Sequence, residues 1–340
     1  MTLMQILHAE DLFDQLGREQ EQEERKPELP ETCGDLFSGF LNALDTPAAS
    51  SFTVIENHTF DSIRNHHFRV IDSLYKECSN HAPSNATSET INLFLDTTMK
   101  YFVRRQEAVP SDLEAKLGIY VSAAINAAED LEFVIEVPIA WHKEPKKFSH
   151  WVDGASYIGY RNEGKNIELR KTDGVIDEIG MFMKSGRISI MDVSRWQKGK
   201  KVEIGRGIEG GEIRVVPEGE YNIGEFMAGG YIHVSHGAKS VGVHMQGGSI
   251  RVERDVGTAG WLMSGGEIDI GGCCGYRAGY YMSGGKIRIA QGCCFSLPGQ
   301  RMSGGEIHVD RYKTKAPKFA QGGDIYNKGK LIMKDGRRIE

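Results

Sequence analysis

The sequence predicts a mixed architecture, an α-helical N-terminal region followed by a single-stranded parallel β-helix of about 8–9 coils. Three observations predict it. Glycine accounts for 41 of 340 residues, about 12% against a typical ~7%, and it is crowded into the second half of the chain. There a short segment, M-x-G-G-x-I-x-V in its commonest form, recurs every 18–20 residues. The first 130 residues have no such repeat; they carry apolar residues at helical spacing and an acidic charge balance.

The helical region comes first. Met4, Leu7, Leu12 and Leu16 predict a helix within residues 2–24, which runs into a polar, proline-marked linker near Pro27 and Pro30. Two short helices are expected around 34–45 and 60–78, the second with Asp61 as its cap and Ile63, Phe68, Ile71, Leu74 and Tyr75 on its apolar face. Another follows "SNATSET", from about 88 to 106. "PSDLEAKLGIYVSAAINAAED" places Ser111 three residues before Glu114, a capping-box pattern, and predicts a fifth helix ending near Glu129. His58, His66 and His67 raise a metal hypothesis. On a helix, however, His66 and His67 diverge by about 100° and cannot face one ion, so a structural or surface role is expected and no metal is assigned.

The repeat aligns on its double glycine. "MKSGRISI" (183–190), "IEGGEIRV" (208–215), "MAGGYIHV" (227–234), "MQGGSIRV" (245–252), "MSGGEIDI" (263–270), "MSGGKIRI" (282–289) and "MSGGEIHV" (302–309) are followed by a degraded copy, "AQGGDIYN" (320–327). An earlier copy surrounds Gly164. A period this short is too brief for a helix pair and too regular for a sandwich, and it matches one coil of a parallel β-helix with equivalent residues stacked about 4.8 Å apart. The isoleucines from Ile188 to Ile307 form one expected inward ladder, and Met183, Ile208, Met227, Met245, Met263, Met282 and Met302 another. Glycines are expected at the corners, where the turn requires a positive φ. Facing outward, Glu267–Lys286–Glu306 and Arg251–Asp269–Arg288 alternate in sign from coil to coil, as stacked charges need; their expected role is structural. Domain boundaries follow as an acidic helical domain over 1–130, a connector or cap over 131–160, the β-helix over 161–327 and a tail over 328–340.

The repeat G-x-x-M-x-G-G-x-I-x-[VI] resembles the GXGXG domain of the glutamate synthase C-terminal region, and equally the GXGXG-bearing subunit of formylmethanofuran dehydrogenase. The resemblance spans roughly residues 160–325. It implies a right-handed β-helix that serves as a scaffold against catalytic domains or subunits and carries no cofactor ligands of its own. It does not reach residues 1–130, and the chain has no amidotransferase nucleophile at its N-terminus, no flavin site and no Fe–S cysteine pattern.

Composition excludes several classes. The net charge of −6 divides into 22 acidic against 10 basic residues over 1–130 and 25 against 31 over 131–340. The two halves are therefore expected to attract each other, and this intramolecular acidic–basic contact argues against a nucleic-acid surface. No apolar run approaches a membrane span and no secretion signal is read at the N-terminus, so a cytoplasmic protein with reduced thiols is expected.

Three features remain as candidate sites. "GCCGYRAG" and "GCCFSLPG" repeat one corner, so Cys273 is expected over Cys293 and Cys274 over Cys294, either as small buried hydrophobes or as a thiol site for a soft metal or an inter-coil disulfide. Between each corner glycine and the following Met lies a pair of residues that includes Phe182, Phe226, His244, Trp261, Tyr280 and Tyr281. This apolar strip requires cover, from the N-terminal helices, a protein partner or a second copy. "WHKEPKKFSHWVDG" (141–154) offers His142, Lys146, Lys147 and His150 either as an anion site or as part of a cap over the open end of the coils. The leading expectation is an interaction scaffold without intrinsic catalysis. A second is an accessory subunit of a multi-subunit oxidoreductase or glutamate-synthase-like amidotransferase. The third is a stand-alone enzyme using His142, His150, His244 and Tyr280.

Overall fold

The computed structural model describes residues 31–47, 62–105, 113–137, 156–170, 177–191, 202–293, 297–311 and 317–339. These form two compact units, the first ending at Ile158 and the second beginning at Gly159.

In the first unit the helices are α1 (Glu31–Leu44), α2 (Ser62–His81), α3 (Ser88–Arg105) and α4 (Leu113–Ala127), followed by strand β1 (Glu132–Glu136). The expected helices at 34–45, 60–78, 88–106 and 111–129 correspond to these within a few residues. The helix expected over 2–24, the Asp61 and Ser111 caps and His58 lie outside the described residues, as do the side chains of His66 and His67. α1 buries Leu36, Phe37, Phe40, Ala43 and Leu44, one helical face. Their rings meet at Phe94 of α3, whose centroid lies 4.9 Å from Phe37, 5.6 Å from Phe40 and 5.8 Å from Tyr120 of α4. Gly39 lets α1 come this close, because a Cβ there would strike the His81 carbonyl and the Tyr120 hydroxyl. Thr87 caps α3 reciprocally with Thr90: each backbone N–H donates to the other's hydroxyl, at 3.0 and 3.3 Å. Strand β1, which the periodicity does not announce, is tied to α3 by side chains that imitate a neighbouring strand. Asn92 donates to the Val134 carbonyl and accepts from the Glu136 N–H, both at 2.9 Å, while Ser88 accepts from the Val134 N–H at 3.0 Å.

The second unit is a parallel β-helix. On one face β2 (Asn166–Arg170), β3 (Arg187–Ile190), β5 (Glu212–Val215), β7 (Tyr231–Val234), β9 (Ser249–Val252), β11 (Glu267–Ile270), β13 (Lys286–Ile289), β15 (Ser303–Val309) and β16 (Gly322–Asn327) stack in that order, all parallel. On the other face β4 (Val202–Ile204), β6 (Tyr221–Ile223), β8 (Ala238–Val241), β10 (Val256–Ala259), β12 (Cys273–Tyr276) and β14 (Gly292–Cys293) do the same. The result is about seven turns. The C-terminal residues, expected as a tail, instead form β17 (Lys330–Lys334), which pairs antiparallel with β16 and covers the last strand edge, and β18 (Arg337–Arg338), which pairs antiparallel with β17.

The isoleucine ladder runs in register through nine strands, extended at its ends by Ile167 and Ile325. Every member is at least 98% buried, and each contributes about 2–3 kcal/mol relative to an exposed side chain. The methionines explain the double glycine. At Gly266 (φ 86°) a Cβ would lie 2.6 Å from the Met245 methyl group of the preceding coil, so the M and the GG of the motif are two halves of one inter-coil contact. The outward columns also stack as the sequence predicts, Glu267 to Lys286 to Glu306 and Arg251 to Asp269 to Arg288. Arg251 lies 3.6 Å from Asp269 and Lys286 3.7 Å from Glu306.

The cysteine columns need correction. Cys274, not Cys273, pairs with Cys293, and Cys273 pairs with Gly292. Counted from the double glycine, Cys274 and Cys293 are each eight residues past the second glycine (Gly266 and Gly285). The extra residue of the longer coil lies after Cys293, before Gly299, so it cannot shift the register ahead of it. Cys274 is buried, Cys273 and Cys293 are half-buried, and Cys294 lies outside the described residues.

Candidate interaction face

One corner of the β-helix carries the strip. In each coil a tight turn runs from a glycine to the buried Met or Ile three residues on, closed by a backbone hydrogen bond such as Met245 N–H to Gly242 O at 3.2 Å. The glycine has φ of 62–71° throughout, at 180, 205, 224, 242, 260, 279 and 299. Two residues later the chain turns left-handed again, and except at Gly207 the residue here is bulky: Phe182, Phe226, His244, Leu262, Tyr281 and Arg301 have φ of 53–58°, and Arg161 of the first coil 51°. The corner glycines are as expected; the bulky left-handed residues beside them are not. What holds them is a second ladder. The Phe226 N–H donates to Val243 O, His244 N–H to Trp261 O and Leu262 N–H to Tyr280 O at 2.8–2.9 Å, and Arg301 N–H to Phe319 O ends the series.

The side chains along this column form a continuous surface. Phe226 and His244 stack with centroids 4.7 Å apart. Trp261 and Tyr280 meet edge to face at 6.4 Å, as do Tyr280 and Tyr281 at 4.6 Å. Arg277 lies over both Trp261 (5.3 Å) and Tyr280 (5.6 Å), and Arg301 over Tyr281 (5.4 Å), whose hydroxyl it also contacts. Leu262, Tyr281 and Tyr276 are exposed, whereas Phe182, Phe226, His244, Trp261 and Tyr280 are half-buried. The Trp261 indole N–H is buried without a hydrogen-bond partner among the described residues. Sequence reasoning missed Arg277, Arg301 and Tyr276. Arg301 occupies the strip position of its coil ("GQRM"), and aligning that position by number rather than by hydrophobicity would have found it.

At the other end of the same corner lies a buried charge cluster that the sequence did not announce. Arg206 contacts Glu178, Glu225 (2.8 Å) and Glu203 (3.5 Å). Asn222 donates to Glu203 at 2.8 Å, and Asp177 accepts the Glu203 and Glu178 N–H groups at 2.7 and 2.9 Å. Burial pushes the Glu178 carboxyl up to about 8, against the opposing pull of Arg206, and burial also raises Asp177. Glu178 Oε2 has no hydrogen-bond partner among the described residues.

His244 and Tyr280 are both in the strip, but each packs against rings and forms no nucleophile–base pair with the other. His142, Lys146, Lys147 and His150 lie outside the described residues. The buried Cys78 thiol of α2 is pushed up to about 12 by desolvation and Glu77, far from a reactive thiolate. Among the described residues no group of three or more His, Cys, Asp or Glu side chains is placed to hold a metal ion. No helix there is long and apolar enough to cross a membrane.

Fold and face together define a parallel β-helix repeat protein that presents an aromatic and cationic corner. The chain matches no protein-family model, no curated protein and no solved structure.

Proposed function

We propose that this chain is an interaction scaffold whose corner strip docks a protein partner with an acidic, partly apolar surface. The observation that supports this reading most directly is the left-handed column itself. Seven coils, from Arg161 to Arg301, keep a bulky residue at a φ that costs an L side chain about 1–2 kcal/mol and costs glycine nothing. Strain kept at successive equivalent sites marks a surface with a use. The partner's chemistry follows from the rings and from Arg277 and Arg301, since no strip position from Val243 to Arg301 is acidic.

The second reading, an accessory subunit of a multi-subunit oxidoreductase or glutamate-synthase-like amidotransferase, draws its support from the G-x-x-M-x-G-G-x-I-x-[VI] repeat. The test is affinity purification of the full chain from its native cells beside a Leu262→Gly/Tyr281→Gly variant, with mass spectrometry of bound chains. The expected result is a stoichiometric partner that the variant loses while its melting temperature is retained. Redox or amidotransferase subunits among the bound chains would select the second reading. Recovery of this chain alone, as monomer or as self-assembled oligomer, or equal retention by the variant, would overturn docking through the strip.

A further inference from the structure

The strip ends in a cavity of about 480 Å³ lined by Tyr281, Arg301, Lys318, Phe319, Ala320 and Gln321, within the ~300–1,000 Å³ usual for small-molecule sites. The charged side chains described in its lining are both cationic. On the sheet face each of Arg187, Arg214, Arg251 and Arg288 lies within 3.0 Å of a carboxylate. Arg301 has no carboxylate partner among the described residues; its guanidinium contacts only the Tyr281 hydroxyl and ring, which leaves most of its five N–H donors available. Lys318, also exposed, makes no ion pair among the described residues. No described lining residue is acidic. Two cations with no carboxylate partner among the described residues, both lining one cavity, suit a dianion better than a carboxylate, and the guanidinium fork matches phosphate geometry.

The cavity also has an aromatic wall. Phe319 is 72% exposed, more than any other large hydrophobic residue among those described. Arg301 covers one side of the Tyr281 ring, but Phe319 offers an open face on which a planar group can stack. The Gln321 amide adds a donor and an acceptor at the rim.

We infer that this cavity binds a phosphate monoester carried on a planar ring system, a ligand of the nucleoside monophosphate class, with Arg301 and Lys318 on the phosphate and Phe319 under the ring. The inference rests on the cavity alone and does not require the strip to dock a protein. It is tested by calorimetric titration of the purified full chain with adenosine monophosphate and, separately, inorganic phosphate. Saturable binding in the micromolar to millimolar range, tighter for the nucleotide, is expected.

Arg301→Gly is a clean probe, because φ of 58° at this position suits glycine; it should keep its melting transition and weaken both ligands about tenfold or more. Lys318→Met should act in the same direction. Phe319→Ala should weaken the nucleotide and leave phosphate unchanged. Absence of saturable binding by either ligand, or unchanged binding in folded Arg301→Gly and Lys318→Met, would overturn the site. Equal affinity for phosphate and nucleotide, with Phe319→Ala silent, would remove the ring from the ligand class.

Discussion

Two left-handed columns run side by side through the β-helix corner, two residues apart, and they are made of opposite materials. The inner column is glycine at every step from Gly159 to Gly299; the outer carries Arg161, Phe182, Phe226, His244, Leu262, Tyr281 and Arg301, with glycine only at Gly207. The sign of φ is the same in both, so φ alone does not choose the residue. Space does. At Gly242 a Cβ would stand 2.5 Å from Cδ1 of Ile268 in the next coil, and the equivalent isoleucine crowds the other inner glycines. At His244 there is room for a ring. Gly207 follows the same rule, because the Phe182 ring fills the place its Cβ would take, with Cδ1 at 2.6 Å. A left-handed backbone held by a hydrogen-bond ladder tolerates a side chain; the same backbone against a packed ladder of isoleucines does not.

The comparison breaks most directly at its inner column. Gly242→Ala adds left-handed strain to a clash with a buried isoleucine, and should cost about 3 kcal/mol or more. His244→Ala, two residues on, should keep most of the stability. Urea unfolding of the two variants decides the matter, and comparable losses would mean that φ and not space selects glycine.

Glu178 is a left-handed residue of a third kind, bulky and buried (φ 52°). Its folded carboxyl holds a proton up to about 8 while an exposed one releases it near 4.5. The folded state therefore binds the proton more tightly. That contribution is complete below about pH 4.5 and is lost as pH rises toward 8. Asp177, raised in the same direction, adds to the slope; Glu203, Glu225 and Arg206 face the same group. Glu178→Gln should melt several degrees above the parent at pH 8.5 and close to it at pH 5. Parallel melting profiles across that range would show that the carboxyl is already ionised in the fold.

The smallest effect belongs to the outer column. Leu262→Gly removes a partly exposed side chain and relieves the strained φ, while the unfolded chain gains freedom. The opposing terms should leave stability within about 0.5 kcal/mol of the parent. A loss above about 1.5 kcal/mol would show that the strip packs as core, since an ordinary buried leucine truncation costs ~2–5 kcal/mol.

Much of the fold was legible because the repeat writes the same contact many times. Ile188 to Ile307 and Met183 to Met302 could be placed inward from spacing alone, and the charge columns could be paired by counting. The cysteine columns could be paired the same way from the preceding double glycine, whereas matching the two "GCC" triplets to each other slips the register by one residue. The cavity was legible only in part. Tyr281 stands out as an aromatic at a strip position, whereas nothing in the pattern marks Arg301 or Lys318. Nothing in one dimension shows that their neighbours lack carboxylates. The Arg206 cluster was hidden for the same reason, its acids coming from three successive coils.

By itself the sequence determined the coil, its period and its inward ladders, since these depend on which residues recur and recurrence is visible in one dimension. It also determined which helices form in the first unit, through apolar spacing and local capping at Thr87. Only the tertiary structure decided which left-handed positions must be glycine and which cations have no acid beside them among the described residues. Those outcomes depend on what the next coil places within a few ångströms, and a side chain's neighbours one coil away are set by stacking register rather than by its own chemistry.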